Sequence, residues 1–177
     1  MSSHFFPDVE RWSLPSSAFS LSLRELARDG ARGCESIALW LGRRAQGEAR
    51  VSHVVGVRGG GVLKAPAFLQ IQSSMLNDVT DMAIQLGLVL VGQIHSHPGL
   101  FVDLSPTDRA HGVSVHHYLS VVAPGYALDP ATTLADCGVH VFEARRGYRR
   151  LTGVEVTRRV RIDVVAEAHF LTVGEAA

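Results

Sequence analysis

The chain contains 177 residues, of which 46% are hydrophobic and 19% are charged, and its formal net charge is zero. This length is sufficient for one domain with a proper hydrophobic core, and the composition is not that of a disordered protein. Zero net charge, without a basic stripe along the sequence, argues against nucleic acid as a partner.

The small number of cysteines and the hydropathy of the sequence indicate the cellular compartment that we expect for the protein. Cys34 and Cys137 are too few for a disulfide scaffold, and we expect both to remain free thiols. The first residues contain no continuous apolar segment of the kind that signal peptides carry. No apolar run approaches membrane-spanning length, so we expect no membrane association and a cytoplasmic location.

The first thirty residues predict an arm followed by a helix. Residues 1–20 contain Pro7, Pro15 and several serines, with aromatic residues between them. This pattern predicts an extended N-terminal arm whose aromatic side chains dock on the domain or on a partner. From Leu21 to Ala31 apolar residues recur on one helical face, and the glycines at 30 and 33 end the predicted helix.

The next predicted element is a strand from Glu35 to Leu41. Both of its faces are largely apolar, which is typical of a central strand. A carboxylate at the start of such an apolar strand is unexpected, and this favours a functional role for Glu35. Glu25 and Glu48 are the alternative candidates, but neither begins an apolar strand that ends in glycine.

Between residues 51 and 87 the sequence predicts a strand and a helix. The strand runs from Val51 to Val57, and the three glycines after it form a flexible turn that does not resemble a nucleotide-binding loop. Residues 66–71 predict no definite element. Apolar residues at helical spacing from Ser73 to Leu86 then predict a core-packing helix that ends at Gly87.

The most informative stretch is an apolar, β-branched run at 88–91 that leads into His95 and His97. Such a run predicts a buried strand. Alternate side chains on a strand point to the same face, so we expect the two imidazoles one pleat apart, able to share one metal ion. Ser96, on the opposite face, is expected to make a structural hydrogen bond.

A helix start follows shortly after this strand. The sequence Ser-Pro-Thr-Asp at 105–108 places Ser105 at the N-cap, proline at the first helical position and an acid three residues after the cap. The intervening loop can fold Asp108 beneath the two histidines. Two histidines and one aspartate with a fourth position open are typical of catalytic rather than structural zinc. Each motif alone has an ordinary structural explanation, but together they favour a metal site.

The sequence His-Ser-His-Pro at 95–98, followed by Ser105 and Asp108, resembles the signature of the JAMM/MPN metalloprotease family, which also requires a glutamate upstream. Glu35 occupies that position here. The resemblance covers roughly residues 20–150. It implies an α/β protein of the MPN (cytidine-deaminase-like) fold, with a curved mixed β-sheet sandwiched by helices. We accordingly divide the chain into an arm at 1–20, a catalytic domain at 21–157, and a C-terminal strand and extension of the same domain at 158–177.

The resemblance also implies a function. One Zn²⁺ per chain is expected, held by His95, His97 and Asp108, with Glu35 as acid and base and Ser105 as a hydrogen-bond donor to developing negative charge. The implied substrate is the peptide or isopeptide bond after the C-terminal tail of ubiquitin or a ubiquitin-like protein, in a prokaryotic member of the family. The extended tail is expected to add to a sheet edge.

Two alternatives stay open at this point. A hydrolase of the same fold could process the C-terminus of a sulfur-carrier protein, or an MPN or RadC-like module could serve only as a binding scaffold. The complete set of ligands argues against the scaffold. The metal identity and the oligomeric state also stay open, since iron and cobalt tolerate similar ligands.

Other polar residues near the motif are weaker candidates. Asp103 could replace Asp108 as a ligand but lacks its helical anchor, and His111 lies one helical turn beyond Asp108 as a candidate supporting group. His116 and His117 are expected to face solvent.

The remaining elements are strands. They are predicted over residues 118–123, 139–144, 148–156 and 161–165. The long loop between the first two of these strands is a candidate substrate-gripping flap.

Overall fold

The computed structural model describes residues 8–174. Within that range the elements are, in chain order, β1 (Arg11–Pro15), α1 (Ser16–Gly30), β2 (Ile37–Ala45), β3 (Glu48–Val57), β4 (Val62–Ala65), β5 (Phe68–Ile71), α2 (Ser73–Gln85), β6 (Val89–Ser96), α3 (Pro106–His111), β7 (Leu119–Ala123), β8 (Gly138–Glu143), β9 (Gly147–Arg150), α4 (Gly153–Arg159), β10 (Val160–Asp163) and β11 (His169–Val173).

Nine of the strands in the described range form one mixed sheet. Their order is β10-β1-β3-β2-β6-β7-β8-β9, and β11 pairs with β3 beside this path. β2 is antiparallel to both β3 and β6, whereas β6 and β7 are parallel. The strands β4 and β5 form a separate antiparallel hairpin. The predicted mixed α/β class is therefore confirmed.

The sheet carries a hydrophobic core on each face because the side chains of β2 alternate. Ala38 and Trp40 pack in one cluster with residues of α1. Ile37, Leu39 and Leu41 pack in a second cluster with residues of α2. The predicted division of this strand into two apolar faces is confirmed, and it places a helix on either side of the sheet.

Within the predicted arm at 1–20, residues 11–15 form a strand of the main sheet. β1 pairs with β3 and β10, and Trp12 is buried in the core, with 1% of its surface exposed. α1 begins at Ser16, directly after Pro15 at its N-cap and five residues before the predicted start. The boundary placed at residue 20 therefore falls inside α1. Phe5 and Phe6, part of the predicted docking arm, lie outside the described residues.

The predicted strand at 148–156 ends at Arg150 because a capping box opens α4. The Thr152 hydroxyl accepts a hydrogen bond from the Glu155 backbone N–H at 3.3 Å, and the Glu155 carboxylate accepts one from the Thr152 N–H at 2.9 Å. β10 then pairs with β1, and β11 pairs with β3, so the C-terminal segment completes the sheet up to Val173.

Residues 66–71, for which the sequence predicted no definite element, form the turn and the second strand of the β4–β5 hairpin. It is attached to the start of β2 by the Glu35 backbone N–H, which donates to the Ala65 carbonyl at 2.9 Å. The Lys64 ammonium contacts the buried Asp29 carboxylate at 2.6 Å. These two anchors hold the hairpin over the end of the sheet where β2 begins and β6 ends.

The structure also bears on the expected free thiols and on the search for membrane-spanning segments. Cys34 and Cys137 are both free thiols, and burial raises the pKa of Cys137 to about 12. Among residues 8–174 no helix combines the length and the apolar character needed to cross a membrane.

Candidate metal centre

The end of β6 presents two imidazoles to the same face of the sheet. His95 and His97 lie two residues apart, and both are buried, with 1% and 6% of their surfaces exposed. Their Nε2 atoms are 3.3 Å apart. Ser96, between them, faces the other way, and its hydroxyl accepts a hydrogen bond from the Ser36 N–H at 3.1 Å, the kind of structural bond that was expected.

α3 brings Asp108 to these two rings. The Ser105 hydroxyl accepts from the Asp108 backbone N–H at 3.1 Å, and Asp108 Oδ2 accepts from the Ser105 N–H at 2.8 Å. This capping box, predicted from the sequence, fixes the carboxylate. Asp108 Oδ2 consequently lies 3.3 Å from Nε2 of His97 and 3.6 Å from Nε2 of His95.

These separations fit the ligand atoms of one metal ion. The three atoms form a triangle with edges of 3.3, 3.3 and 3.6 Å. Tetrahedral zinc with bonds of about 2.0–2.2 Å separates its ligand atoms by about 3.3–3.6 Å. The residues present therefore fit a zinc-like divalent ion, and the open side of the triangle leaves room for further ligands.

A backbone hydrogen bond orients one of the rings for this role. His97 Nδ1 lies 2.8 Å from the Phe101 carbonyl oxygen. A carbonyl oxygen can only accept, so Nδ1 carries a proton and Nε2 of the neutral ring presents its lone pair to the other ligand atoms. His95 Nδ1 is buried and has no hydrogen-bond partner in the described part of the chain.

The electrostatics of the cluster favour a cation. Burial by itself would raise the pKa of Asp108, but in the metal-free protein, where Nε2 of these rings can carry a proton in place of a metal ion, hydrogen bonds from His95 and His97 hold it well below the usual range. Burial likewise would lower the pKa of His97, but the hydrogen bonds to Asp108 and to the Phe101 carbonyl raise it. An ionised carboxylate that draws a proton onto His97 draws a metal ion by the same attraction.

Glu35 lies beside this cluster, just before β2. Its carboxyl group lines a cavity of about 250 Å³ together with His97, Ser105 and Asp108. Burial raises the pKa of Glu35 to about 7; the charge of His97 opposes this shift and the charge of Asp108 adds to it. Only 7% of the Glu35 surface is exposed, and its carboxyl makes no hydrogen bond to another described residue. Such a group is poised to exchange protons near neutral pH.

A second cavity, of about 260 Å³, lies on the other side of the ligands. It is lined by His95 and Asp108, by residues of β5 and by Gln93. Gln93 accepts a hydrogen bond from the Tyr118 hydroxyl at 3.1 Å. The sequence reasoning missed Gln93, although its position two residues before His95 places it on the same strand face. Both cavities together form a cleft between the β4–β5 hairpin and α3.

The alternative glutamates are engaged elsewhere. Glu25 forms two hydrogen bonds to the Arg58 guanidinium, at 3.1 and 2.9 Å. Glu48 accepts a hydrogen bond from Arg50 at 2.8 Å on the surface. Neither lines the cleft, so Glu35 is the glutamate that the fold brings to the metal ligands.

The suggestion that Asp103 could serve as a ligand is wrong. Its Oδ1 accepts hydrogen bonds from His140 Nε2 at 2.8 Å, from Arg109 at 2.9 Å and from the Leu104 N–H at 2.8 Å. His111 is exposed and lines the cavity beside His95, so its supporting role stays a prediction.

His116 and His117 are half-buried, so the expectation that they face solvent is wrong. With Asp8 they form a second cluster of potential ligands. The Nδ1 atoms of the two rings accept hydrogen bonds from the backbone N–H groups of Ala144 and Val9, at 3.2 and 2.5 Å. The neutral rings then carry their protons on Nε2, which leaves those atoms without the lone pair that a metal requires.

The loop at 124–138 does not line either cavity of the cleft. Its first residues are instead attached to the neighbouring loop and hairpin. The Tyr126 N–H donates to the His97 carbonyl at 2.7 Å, and the Tyr126 hydroxyl donates to the Pro66 carbonyl at 2.7 Å. The β4–β5 hairpin occupies the position beside the ligands that a substrate-gripping element would take.

Fold and site together define a mixed α/β protein with a buried two-histidine, one-aspartate centre that fits a divalent metal ion. No family model matches the chain. A curated protein of Sinorhizobium fredii (strain NBRC 101917 / NGR234), named probable metalloprotease y4jG, is 26% identical over 157 residues, covering 88% of this chain and 96% of that protein. The solution structure of protein DSY2949 from Desulfitobacterium hafniense is similar in fold, with a TM-score of 0.62 and 17% identity, covering 88% of this chain and 95% of that one.

Proposed function

We propose that this chain is a zinc-dependent peptidase of the JAMM/MPN type, with the MPN fold. The observation that carries the proposal is the convergence of His95, His97 and Asp108, with ligand atoms 3.3–3.6 Å apart, and a buried glutamate that lines the same cavity as His97 and Asp108. The name of the Sinorhizobium fredii relative, a probable metalloprotease, supports a peptidase activity that uses a metal ion.

The proton transfers of the reaction fall to Glu35. A divalent cation held by the three ligands supplies Lewis acidity, which lowers the pKa of water toward about 7. Glu35, which is buried beside the ligands and whose carboxyl has no competing partner in the described chain, accepts a proton from the attacking water. It then delivers that proton to the departing amine.

Ser105 stabilises the negative charge that develops on the substrate carbonyl oxygen. Its oxygen accepts the Asp108 N–H, which leaves its hydroxyl proton available to donate into the cavity that it shares with Glu35. Removing one donor of this kind from an oxyanion site typically costs roughly 100- to 1,000-fold in rate.

The substrate that this cleft fits best is the extended C-terminal tail of a ubiquitin-like protein, followed by a peptide or isopeptide bond. β5 borders the cleft, and the hairpin to which it belongs has only two strands in the described range, so one edge of β5 is open to a further strand. An extended tail pairs with such an edge through main-chain hydrogen bonds. The cavities, of about 260 and 250 Å³, favour small residues next to the cleaved bond.

The test uses ubiquitin-like proteins whose C-terminal tails are fused to a reporter. We expect cleavage directly after the tail, loss of cleavage with a strong chelator and recovery with Zn²⁺. Glu35→Gln should retain bound zinc yet abolish cleavage, because it removes the proton acceptor without removing a ligand. Glu48→Gln is the matched control, since it makes the same change at a surface ion pair and should cleave normally. Cleavage by Glu35→Gln, or by chelator-treated protein, would contradict the mechanism.

A further inference from the structure

A row of arginines crosses one face of the sheet, away from the metal centre. Strand pairing sets Arg43 of β2 opposite Arg50 of β3, Arg50 opposite Ser13 of β1, and Ser13 opposite Arg161 of β10. Residues paired in this way project from the same face of a sheet. Neighbouring strands lie about 4.8 Å apart, so three arginines share a row about 14 Å long. The Arg161 guanidinium reaches Ser13 Oγ at 3.4 Å, which confirms their common face.

More arginines converge beside this row. Arg11 lies two residues before Ser13, on the same strand face, and the end of α4 contributes two further guanidinium groups. Together they line a concave cavity of about 450 Å³, which we call the arginine cavity: its lining residues are Arg11, Trp12, Glu48, Arg50, Thr157, Arg158, Arg159 and Arg161. Five of the eight are arginines, in a chain whose net charge is zero.

The positive charge of the arginine cavity is only partly neutralised. Glu48, the acidic residue in its lining, pairs with Arg50 at 2.8 Å, and Arg161 reaches Asp163 nearby at 3.3 Å. The guanidinium groups of Arg11 and Arg158 make no hydrogen bond or ion pair with another described residue, although the backbone N–H of Arg11 donates to the Gly47 carbonyl. Clustered charges of one sign create a strong local potential, which attracts counter-ions and raises their local concentration.

Two further residues of the lining, Arg159 and Trp12, also carry hydrogen-bond donors. The Arg159 guanidinium packs over the Trp12 ring at 5.0 Å, and its Nε donates to the Glu10 carbonyl at 2.9 Å. Burial and the neighbouring charges of Arg149 and Arg158 lower the pKa of Arg159, a sign of its like-charged surroundings. The indole N–H of Trp12 is buried without a hydrogen-bond acceptor in the described part of the chain.

We propose that the arginine cavity binds a small anion that carries several linked phosphate groups. Planar guanidinium groups bind phosphate through two parallel hydrogen bonds, and several of them together favour a ligand with several phosphates. A concave volume of about 450 Å³ is that of a small-molecule site, whereas a macromolecular polyanion would use a broader, flatter basic surface. β10 lies four strand positions, about 19 Å, from β6, so this site is independent of the proposed peptidase activity.

The experiment is calorimetric titration of the full chain with inorganic tripolyphosphate at low and at moderate salt. We expect saturable binding of one molecule per chain that weakens steeply as salt rises, because ion pairing provides the affinity. Adenosine triphosphate forms the second arm: equal affinity would show that the phosphate chain alone is recognised, and tighter binding would show that an attached nucleoside adds contacts. Both results support the proposal.

The variants are chosen so that no ion pair within the fold is lost. Arg11→Gln and Arg158→Gln should each weaken binding roughly tenfold. Arg24→Gln, on the exposed face of α1, makes the same change in charge outside the cavity and should bind normally. Since extraction of a metal ion by the titrant would be common to all variants, the difference between Arg11→Gln and Arg24→Gln reports the cavity alone. Absence of saturable binding at millimolar tripolyphosphate, equal affinity in all variants, or tighter binding of an oligonucleotide would overturn the proposal.

Discussion

Two aspartates five residues apart, Asp103 and Asp108, meet buried histidines in opposite ways. Asp103 Oδ1 is saturated, since it accepts three hydrogen bonds at 2.8–2.9 Å from a histidine, an arginine and a backbone N–H. Asp108 Oδ2 accepts one close backbone hydrogen bond and faces two imidazole nitrogens at 3.3 and 3.6 Å. In the first arrangement hydrogen-bond donors surround the carboxylate oxygen closely, and in the second the separations leave space for an ion between the partners.

The distances around the carboxylate oxygen distinguish a structural carboxylate–histidine pair from a candidate metal site. Around Asp103, one carboxylate oxygen already accepts three close hydrogen bonds, so that oxygen has no lone pair to offer a metal ion. In the candidate metal site, the separations match the edges of a coordination polyhedron, and Nδ1 of His97 lies at hydrogen-bond distance from a carbonyl oxygen.

The largest effect is expected from Asp108→Asn. This substitution removes the charge of the third ligand while the amide oxygen still accepts the Ser105 N–H, so α3 should keep its start. Bound metal, measured by elemental analysis after dialysis, should fall from about one per chain to near zero, and cleavage should fall with it.

The matched control for that variant is Asp103→Asn. It makes the same chemical change five residues earlier and should retain the metal, because Asp103 contacts His140 and Arg109 rather than the ligand histidines. Equal loss of metal in both variants would contradict the assignment of Asp108, and not Asp103, as a metal ligand.

Ser105→Ala should lower the cleavage rate roughly 100- to 1,000-fold through loss of the hydrogen-bond donor. It should also cost about 1 kcal/mol of unfolding free energy through loss of the helix cap. Thr152→Ala is the control, since Thr152 caps α4 in the same way far from the cleft. It should lose similar stability, measured by urea denaturation, with an unchanged rate; a Ser105→Ala enzyme as fast as Thr152→Ala would restrict Ser105 to capping.

A pH dependence of stability is expected from Glu35 in the metal-free protein. Its pKa is raised from 4.5 to about 7, so this group contributes stability that is fully present below pH 4.5 and is lost as the pH rises through 7. Glu35→Gln cannot ionise and should avoid that loss. Relative to the parent, the variant should gain about 3 kcal/mol between pH 4 and pH 8.5. Denaturation of both proteins at the two pH values measures this difference, and a constant difference would contradict the raised pKa.

The smallest effect is expected for the stability of Asp103→Asn. The amide oxygen can still accept hydrogen bonds from His140, but the charge that strengthens them and attracts Arg109 is lost. We expect a loss of about 1 kcal/mol, measured by thermal or urea denaturation. A much larger loss, accompanied by release of metal, would mean that Asp103 supports the metal centre.

Local rules predicted the parts of the site that lie close together in the sequence. Strand alternation predicted that His95 and His97 share a face, and the capping residues predicted that α3 begins after Ser105. Alternation also predicted the two apolar faces of β2. These features depend on dihedral periodicity and on hydrogen bonds between residues a few positions apart, which the sequence specifies directly.

Features that join distant segments were not predictable in the same way. The β4–β5 hairpin beside the ligands and the engagement of Asp103 by His140 depend on which elements pack together. The start of α1 at Ser16 was missed because β1, which precedes it, forms only by pairing with β3 and β10. Pairing partners far apart in the chain are selected by burial of the whole core, not by local pattern.

The two histidines, the capped aspartate and the apolar strands that carry them were thus determined by the sequence alone. The tertiary structure decided that Glu35 is buried beside them, and that Arg43, Arg50 and Arg161, scattered over the sequence without any basic stripe, form one row. The physical reason is register: side-chain direction within a strand follows from its own alternation, but which side chains become neighbours across a sheet follows from how strands align.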